Sequence, residues 1–338
     1  MPTWPLPVHG TDASDVPPLT LLGLVTDWQW DWVAGPMVLV LVSAYLWGVS
    51  VLRRRGDAWS RARTAYWMVG MVQLGYATVG PLGMYDTVLF SVHMVQHMML
   101  SMTIPVALAQ GAPVTLALRT LPRRLRAGLL WLVGSKLARV VLFPPLTTAG
   151  MILMPFVLYT NGLYALTLRN DSLHDLLHLW MLLTGGAFFM PLVGPDPAPW
   201  KLPYPIRILL FFLTMPFHAF IGTMLMGSRT LVAGDWYFSF HRTWGPSPMM
   251  DQYWAGAILW ATGDFTAFAV MSALFLGWYR ESQREARRID RQLDREERAR
   301  SGQEQPAAGA AQELDAPQAR AVSGATMQPL PPDTRTDE

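Results

Sequence analysis

The sequence contains no cysteine among its 338 residues. Disulfides, thiolate metal sites and cysteine nucleophiles are therefore excluded, and a soft metal would have to take its sulfur from methionine. Charged residues are also scarce, at 15% of the chain, while hydrophobic residues make up 51%. A chain this poor in charge cannot cover an ordinary water-soluble surface, which favours a polytopic membrane protein.

The distribution of basic residues argues against a removable signal peptide and against a nucleic-acid-binding protein. Positions 1 to 33 contain no Lys or Arg, so the basic start of a removable signal peptide is absent and we do not expect one. The net charge of +2 is too small to indicate nucleic-acid binding. The basic residues instead form short clusters between apolar runs, where they act as topology signals.

Long apolar runs dominate what is present. Runs of about 20 residues, the length needed to cross roughly 30 Å of hydrocarbon, predict transmembrane helices. About seven of them occur, near 34–52, 64–82, 86–110, 140–165, 172–193, 206–226 and 253–279. The sequence therefore predicts an all-α bundle of about seven helices in a lipid bilayer.

The loops between these runs predict the orientation of the bundle. If the first span is followed by a cytoplasmic loop, thirteen Lys and Arg residues lie on inner loops and three on outer loops. The positive-inside rule then puts the N-terminus outside and the C-terminus in the cytoplasm, in what we expect to be a bacterial plasma membrane. The predicted parts are an extracytoplasmic segment 1–33, a transmembrane domain 34–279, a charged cytoplasmic helix extension 280–300 and a disordered tail 301–338.

Five of the seven histidines fall in the outer half of the predicted bilayer, together with one carboxylate. These residues are His93, His97, His174, His178, His218 and Asp264. Taken singly, a histidine such as His218 is explained equally well by a hydrogen bond across a helix interface. Together they indicate a functional site, because an ionisable group in lipid costs about 2.5–3.5 kcal/mol. Two pairs spaced i, i+4 can each present two imidazoles to one ion, which predicts a metal site.

The neighbouring methionines suggest which metal this is. Met94 and Met98 lie on a stripe beside the face of the first histidine pair. Thioether and imidazole together suit Cu(I) best, although most of the 20 methionines are expected to serve packing. The inner ligands, chosen because their estimated depths agree best, are expected to be His97, His178 and His218. His93 and His174 would then form either an entry site, which receives the ion first, or a second site. Met94 and Met98 would be soft ligands that relay the ion.

Two other chemistries remain open from the residues alone. A zinc hydrolase is possible because "HDLLH" offers Asp175 at the position of the zinc peptidase glutamate. Seven-span hydrolases of the ceramidase and adiponectin-receptor kind also use His and Asp within the bilayer. Against it, "HMVQH" lacks the glutamate of a zinc peptidase, and no Ser-x-x-x-His pattern is present. A haem-binding membrane cytochrome is the other alternative, but i, i+4 histidines face one ion and do not face each other across a macrocycle.

Three motifs, "HMVQHMML", "LHDLLHLW" and "DQYWAGAILWATGDF", resemble the multi-span CtaG family of cytochrome c oxidase assembly factors. The resemblance runs from about residue 34 to 279. It implies a role in maturing haem-copper oxidases by providing copper for the active-site centre. The functional positions it implies are His93, His97, His174, His178, Asp251 and Asp264. Leu177 stands where the family pattern has an acidic residue, and Asp175 is the carboxylate available nearby.

Residues and resemblance together predict an assembly factor and not an enzyme. Copper, as Cu(I), would be held by histidine and methionine near the outer face and passed to the catalytic subunit of a haem-copper oxidase. Asp264, Asp251 and Asp175 are expected to support the ligands, by orienting an imidazole N–H or by balancing charge.

Overall fold

The computed structural model describes residues 16–239 and 242–314, with side chains as far as 298. In chain order the helices are α1 (Gly23–Thr26), α2 (Ala34–Arg54), α3 (Arg61–Thr78), α4 (Pro81–Tyr85), α5 (Phe90–Met98), α6 (Ile104–Gln110), α7 (Pro113–Thr120), α8 (Arg123–Gly134), α9 (Lys136–Val141), α10 (Pro144–Thr160), α11 (Leu163–Leu168), α12 (Asp171–Val193), α13 (Tyr204–Gly227), α14 (Gly234–Ser239) and α15 (Pro248–Leu314). A π-helical segment, Met99–Thr103, joins α5 to α6. The described residues contain no β-strand, which confirms the all-helical prediction.

Several of these helices are long and apolar enough to cross a membrane. Within the described residues there are five such segments, Ala34–Arg54, Phe90–Thr120, Asp171–Val193, Tyr204–Gly227 and Pro248–Arg298. The other two predicted spans correspond to α3 and α10, which have 18 and 17 residues and are not among the five. The count of seven spans and the orientation of the termini therefore stay predictions.

One end of the helix bundle, called here the histidine end, collects the starts of three helices. Asp86, just before α5, contacts His174 in the first turn of α12. Asp251, in the first turn of α15, accepts hydrogen bonds from the backbone of Phe90 at the start of α5. Tyr159 forms a hydrogen bond with His93 of α5. It lies next to the last residue of α10, so α10 reaches the histidine end with its C-terminus. This arrangement brings the polar residues of four helices to the same end.

The π-helical segment has an identifiable cause. Pro105 has no N–H to offer the carbonyl of Ser101, four residues earlier, so regular α-helical bonding is interrupted. Helix α12 approaches this irregular turn closely at Gly185. An added Cβ at Gly185 would overlap the Ser101 carbonyl and lie 2.7 Å from the Cγ of Pro105. Only glycine allows α12 this approach, and α12 carries His174 and His178.

The chain divides into two units, Met1–Trp278 and Tyr279–Glu338. In the second unit, α15 is helical to Leu314, and its described side chains are exposed. This helix ends inside the segment 301–338, whose disorder stays a prediction. The remainder of that tail, and residues 1–15 of the predicted segment 1–33, lie outside the described residues.

Candidate metal centre

Three histidines from two helices meet at the histidine end. His93 comes from the first turn of α5, and His174 and His178 occupy successive turns at the start of α12. Each offers one ring nitrogen such that the three atoms lie within 4.8 Å of one another. His93 and His174 are buried, while His178 keeps 15% of its side-chain surface exposed. Three imidazoles at this separation can coordinate a single metal ion.

Asp86 is the carboxylate that accompanies this group. It is 2% exposed, and its Oδ2 lies 3.1 Å from His174 Nε2 and 3.4 Å from His178 Nε2. A carboxylate that accepts from the ring N–H of a metal ligand fixes its orientation and raises its basicity. Asp86 therefore orients His174, and it supplies negative charge beside the ion that the three histidines would bind.

Tyr159 links the group to a fourth histidine. Its hydroxyl lies 3.2 Å from His93 Nε2 and 3.0 Å from His97 Nδ1. Because a hydroxyl has one proton, it can donate to only one of these rings and must accept from the other. If it donates to His97, His93 donates through Nε2 and keeps a lone pair on Nδ1. The Nδ1 atom of His93 is buried and has no hydrogen-bond partner among the described residues, as a metal-binding nitrogen requires.

Aromatic rings enclose His93 on its remaining sides. The ring centroid of Tyr164 lies 4.6 Å from that of His93, and the centroid of Phe90 lies 6.1 Å away. The hydroxyls of Tyr164 and Tyr237 are 2.7 Å apart. Burial raises the pKa of Tyr237, in α14, well above its ordinary value, so this hydroxyl stays protonated at neutral pH. The lining excludes water on this side of His93 and adds no charge.

The structure groups the histidines differently from the estimate based on depth. His97 and His218 were expected beside His178, but neither belongs to the group of three. The ring of His97 lies 6.4 Å from that of His93, and His218 donates through Nδ1 to the carbonyl of Thr214 at 3.2 Å. Equal depth does not fix the direction in which a side chain points around its helix, which explains the difference.

The two predicted methionine ligands are completely buried. Met94 Sδ lies 3.9 Å from the hydroxyl of Tyr159, one contact away from His93. Met98 lies deeper, where its Cε would be 4.0 Å from a Cβ added at Gly263. Met94 therefore adjoins the three-histidine group, and Met98 packs between α5 and α15 near His218.

The three predicted supporting carboxylates have different positions. Asp251 accepts hydrogen bonds from the Phe90 and Ser91 N–H groups and from the Ser91 hydroxyl, so it anchors the start of α5. Asp175 is exposed on α12, beside a cavity that reaches His178. Asp264 is exposed on α15 because the preceding residue, Gly263, is the one that faces the core. The expectation that Asp264 orients a histidine is corrected by this placement.

Sequence reasoning missed Asp86 and Tyr159 as site residues. Asp86 had a detectable signal, since it is a carboxylate at the start of the predicted span that carries His93. Tyr159 had none, because a tyrosine near the end of an apolar run is ordinary interfacial behaviour.

Comparison with known proteins gives one family. A family model described as cytochrome c oxidase caa3 assembly factor matches residues 43–281. Uncharacterised proteins of Mycobacterium bovis and Mycobacterium tuberculosis are each 35% identical to this chain over 284 residues, and one of Mycobacterium leprae is 34% identical. The aligned region covers 82% of this chain and 43% of each relative, so the chain spans less than half of their length. No solved structure matches significantly.

Proposed function

We propose, on the basis that this chain belongs to the cytochrome c oxidase caa3 assembly factor family, that it carries copper as cargo and supplies it to the copper centre of an oxidase catalytic subunit. The observation that carries the proposal is the meeting of His93, His174 and His178 within 4.8 Å. The protein would work as a multi-pass protein of a bacterial plasma membrane and would receive the ion at the outer face.

Charge balance favours Cu(I) as the cargo. Neutral imidazoles bring no charge to the site, and Asp86 brings one negative charge that is 2% exposed. A monovalent ion and one carboxylate sum to zero, whereas a divalent ion leaves a net positive charge in a low-dielectric surrounding, where an uncompensated charge is costly. Met94, next to Tyr159, adds a soft sulfur close to the histidines.

The donor set also suits release of the ion. Thiolates hold Cu(I) tightly, and this chain has no cysteine. A site of imidazoles, with a thioether nearby, can transfer its ion to another set of imidazoles without a large change in affinity. We expect the recipient to be the histidine-ligated copper centre of the oxidase, and the protein to act without catalysing a reaction.

The test is the metal content of the purified protein. Wild type and a variant with His93, His174 and His178 all changed to Ala are expressed in copper-supplemented cells, purified in detergent and analysed for copper, zinc and iron. The matched control is His218→Gln, which removes a buried histidine outside the group of three. We expect copper in the wild type and the control and its loss from the triple variant. A triple variant that keeps its copper would refute the site.

A second test follows the recipient. In cells that lack the protein, the oxidase catalytic subunit is expected to contain haem but too little active-site copper, and the triple variant should not restore it. An oxidase with full copper content in such cells would refute delivery, even if the protein itself binds copper.

A zinc hydrolase is the second candidate. Three histidines are also the ligands of many catalytic zinc sites, and the cavity that reaches His178 would leave room for the zinc-bound water. The same metal analysis separates the candidates. Zinc in place of copper, retained by the control and lost from the triple variant, would favour the hydrolase.

A further inference from the structure

A cavity of about 350 Å³ opens between the starts of α2 and α12 and reaches inward to α5. Its rim carries Asp31, which precedes α2, and Ser172 and Asp175 in the first two turns of α12. Its inner wall carries Asp86 and His178, two members of the candidate metal centre.

The polar lining of the cavity suits a cation. The described residues that line it include three carboxylates, Asp31, Asp86 and Asp175, and no Lys or Arg. Asp31 is held in place because its Oδ1 accepts hydrogen bonds from the N–H groups of Val33 and Ala34, both at 2.6 Å. Low-dielectric walls strengthen the attraction of such a cleft for an ion of opposite sign.

Two oxygens in the lining have no hydrogen-bond partner among the described residues. They are Asp86 Oδ1 and Gln96 Oε1, and both residues are at least 98% buried. Buried acceptors of this kind are normally satisfied, so each calls for a water molecule or a cation within reach. Asp86 is the more informative of the two, since its other oxygen already contacts His174 and His178.

We propose that this cavity is the loading route of the candidate metal centre, and that the incoming cation reaches Asp86 Oδ1 before it reaches the imidazoles. This inference rests on the proposed function. His178 is the first histidine that the ion meets, because it lines the cavity and keeps 15% of its side chain exposed, whereas His93 and His174 are enclosed. The ion therefore enters between the starts of α2 and α12, and His178 is the histidine that takes it from the cavity.

The absence of cysteine permits a test on the folded protein. A single Cys is introduced at Ala34, which lines the cavity near its rim, and in a matched control at Ala44, which is exposed on the same helix and outside the lining. After purification each Cys is capped with N-methylmaleimide or with a bulky fluorescein maleimide. Both adducts leave a thioether, so no free thiol competes for the metal. The probe is Cu(I) supplied as a weak acetonitrile complex, and both the rate of uptake and the final copper content are measured.

We expect the bulky adduct at position 34 to slow uptake at least about tenfold relative to the methyl adduct, which corresponds to about 1.4 kcal/mol of barrier, with the same final copper content. At position 44 the two adducts should load at equal rates. Equal rates at position 34, with full final copper, would overturn the route and leave the proposed function standing. If the wild type binds no copper, the proposed function itself fails, and the route fails with it.

Discussion

The close approach of α12 to the π-helical turn predicts a strong difference between two adjacent glycines. A Cβ added at Gly185 would overlap the Ser101 carbonyl and lie 2.7 Å from the Cγ of Pro105. A Cβ added at Gly186 has no atom within 4 Å. Both Gly→Ala changes raise helix propensity equally, by about 1 kcal/mol. Comparing the two variants therefore isolates the packing at Gly185.

The size of the difference follows from the geometry. Carbon atoms in contact normally lie about 3.5–4.0 Å apart, so the helices must separate by about 1 Å at Gly185→Ala. Overpacking of this kind costs about 1–3 kcal/mol, and the upper end applies because a backbone carbonyl has to move. The variants should thus differ by about 3 kcal/mol in the free energy of unfolding. His178 and His174 lie two and three turns away on the same helix, so the displacement should also widen the metal centre.

The assay is thermal unfolding in detergent at one scan rate, together with copper content. One kcal/mol shifts Tm by about 2–4 °C in domains of 150–250 residues, so Gly185→Ala should unfold several degrees below Gly186→Ala. It should also retain less copper, whereas Gly186→Ala should match the wild type. Equal Tm and copper content in the two variants would show that the π-helical turn can move away from an added Cβ at no cost in stability, and would refute the packing argument.

The remaining predictions concern the residues of the candidate metal centre and the membrane topology. Asp86→Asn keeps the shape of the side chain but removes its charge, and should weaken copper binding about 10–100-fold in a chelator competition; unchanged affinity would contradict the charge-balance argument. Tyr159→Phe removes the hydroxyl shared by two histidines and should weaken binding about tenfold or more, while Tyr253→Phe, at an exposed tyrosine, should have no effect. Single Cys residues at Ser228 and Ser135 should react with an impermeant thiol reagent from outside and inside the cell, respectively; labelling of Ser135 from outside would reverse the predicted orientation.

Much of the fold could be predicted because apolar length and helical period are local properties of the sequence. The predicted runs near 34–52, 172–193 and 206–226 match α2, α12 and α13 to within a few residues. The run near 86–110 was predicted as one helix, but it contains a break before Phe90 and a π-helical turn at Met99–Thr103. Both irregularities depend on tertiary partners. Asp251, 161 residues away in the sequence, accepts the hydrogen bond of the Phe90 N–H at the start of α5, and no local sequence pattern predicts such a partner.

The candidate site was predictable in composition but not in arrangement. The i, i+4 spacing puts His174 and His178 on one face of α12, although the depth estimate had assigned them to different ligand sets. Which face of α5 meets α12 depends on helix rotation, so the depth estimate chose His97 where the structure brings in His93. The same limit explains Asp264, since a charge one residue along from an inward-facing glycine points about 100° away from it in a helix of 3.6 residues per turn. Conversely, Asp86 lies in the turn between α4 and α5, and from there its carboxylate contacts His174 and His178 of α12. In this chain the carboxylate at a break between helices therefore lies with the histidines, whereas the carboxylate at matching depth in α15 does not.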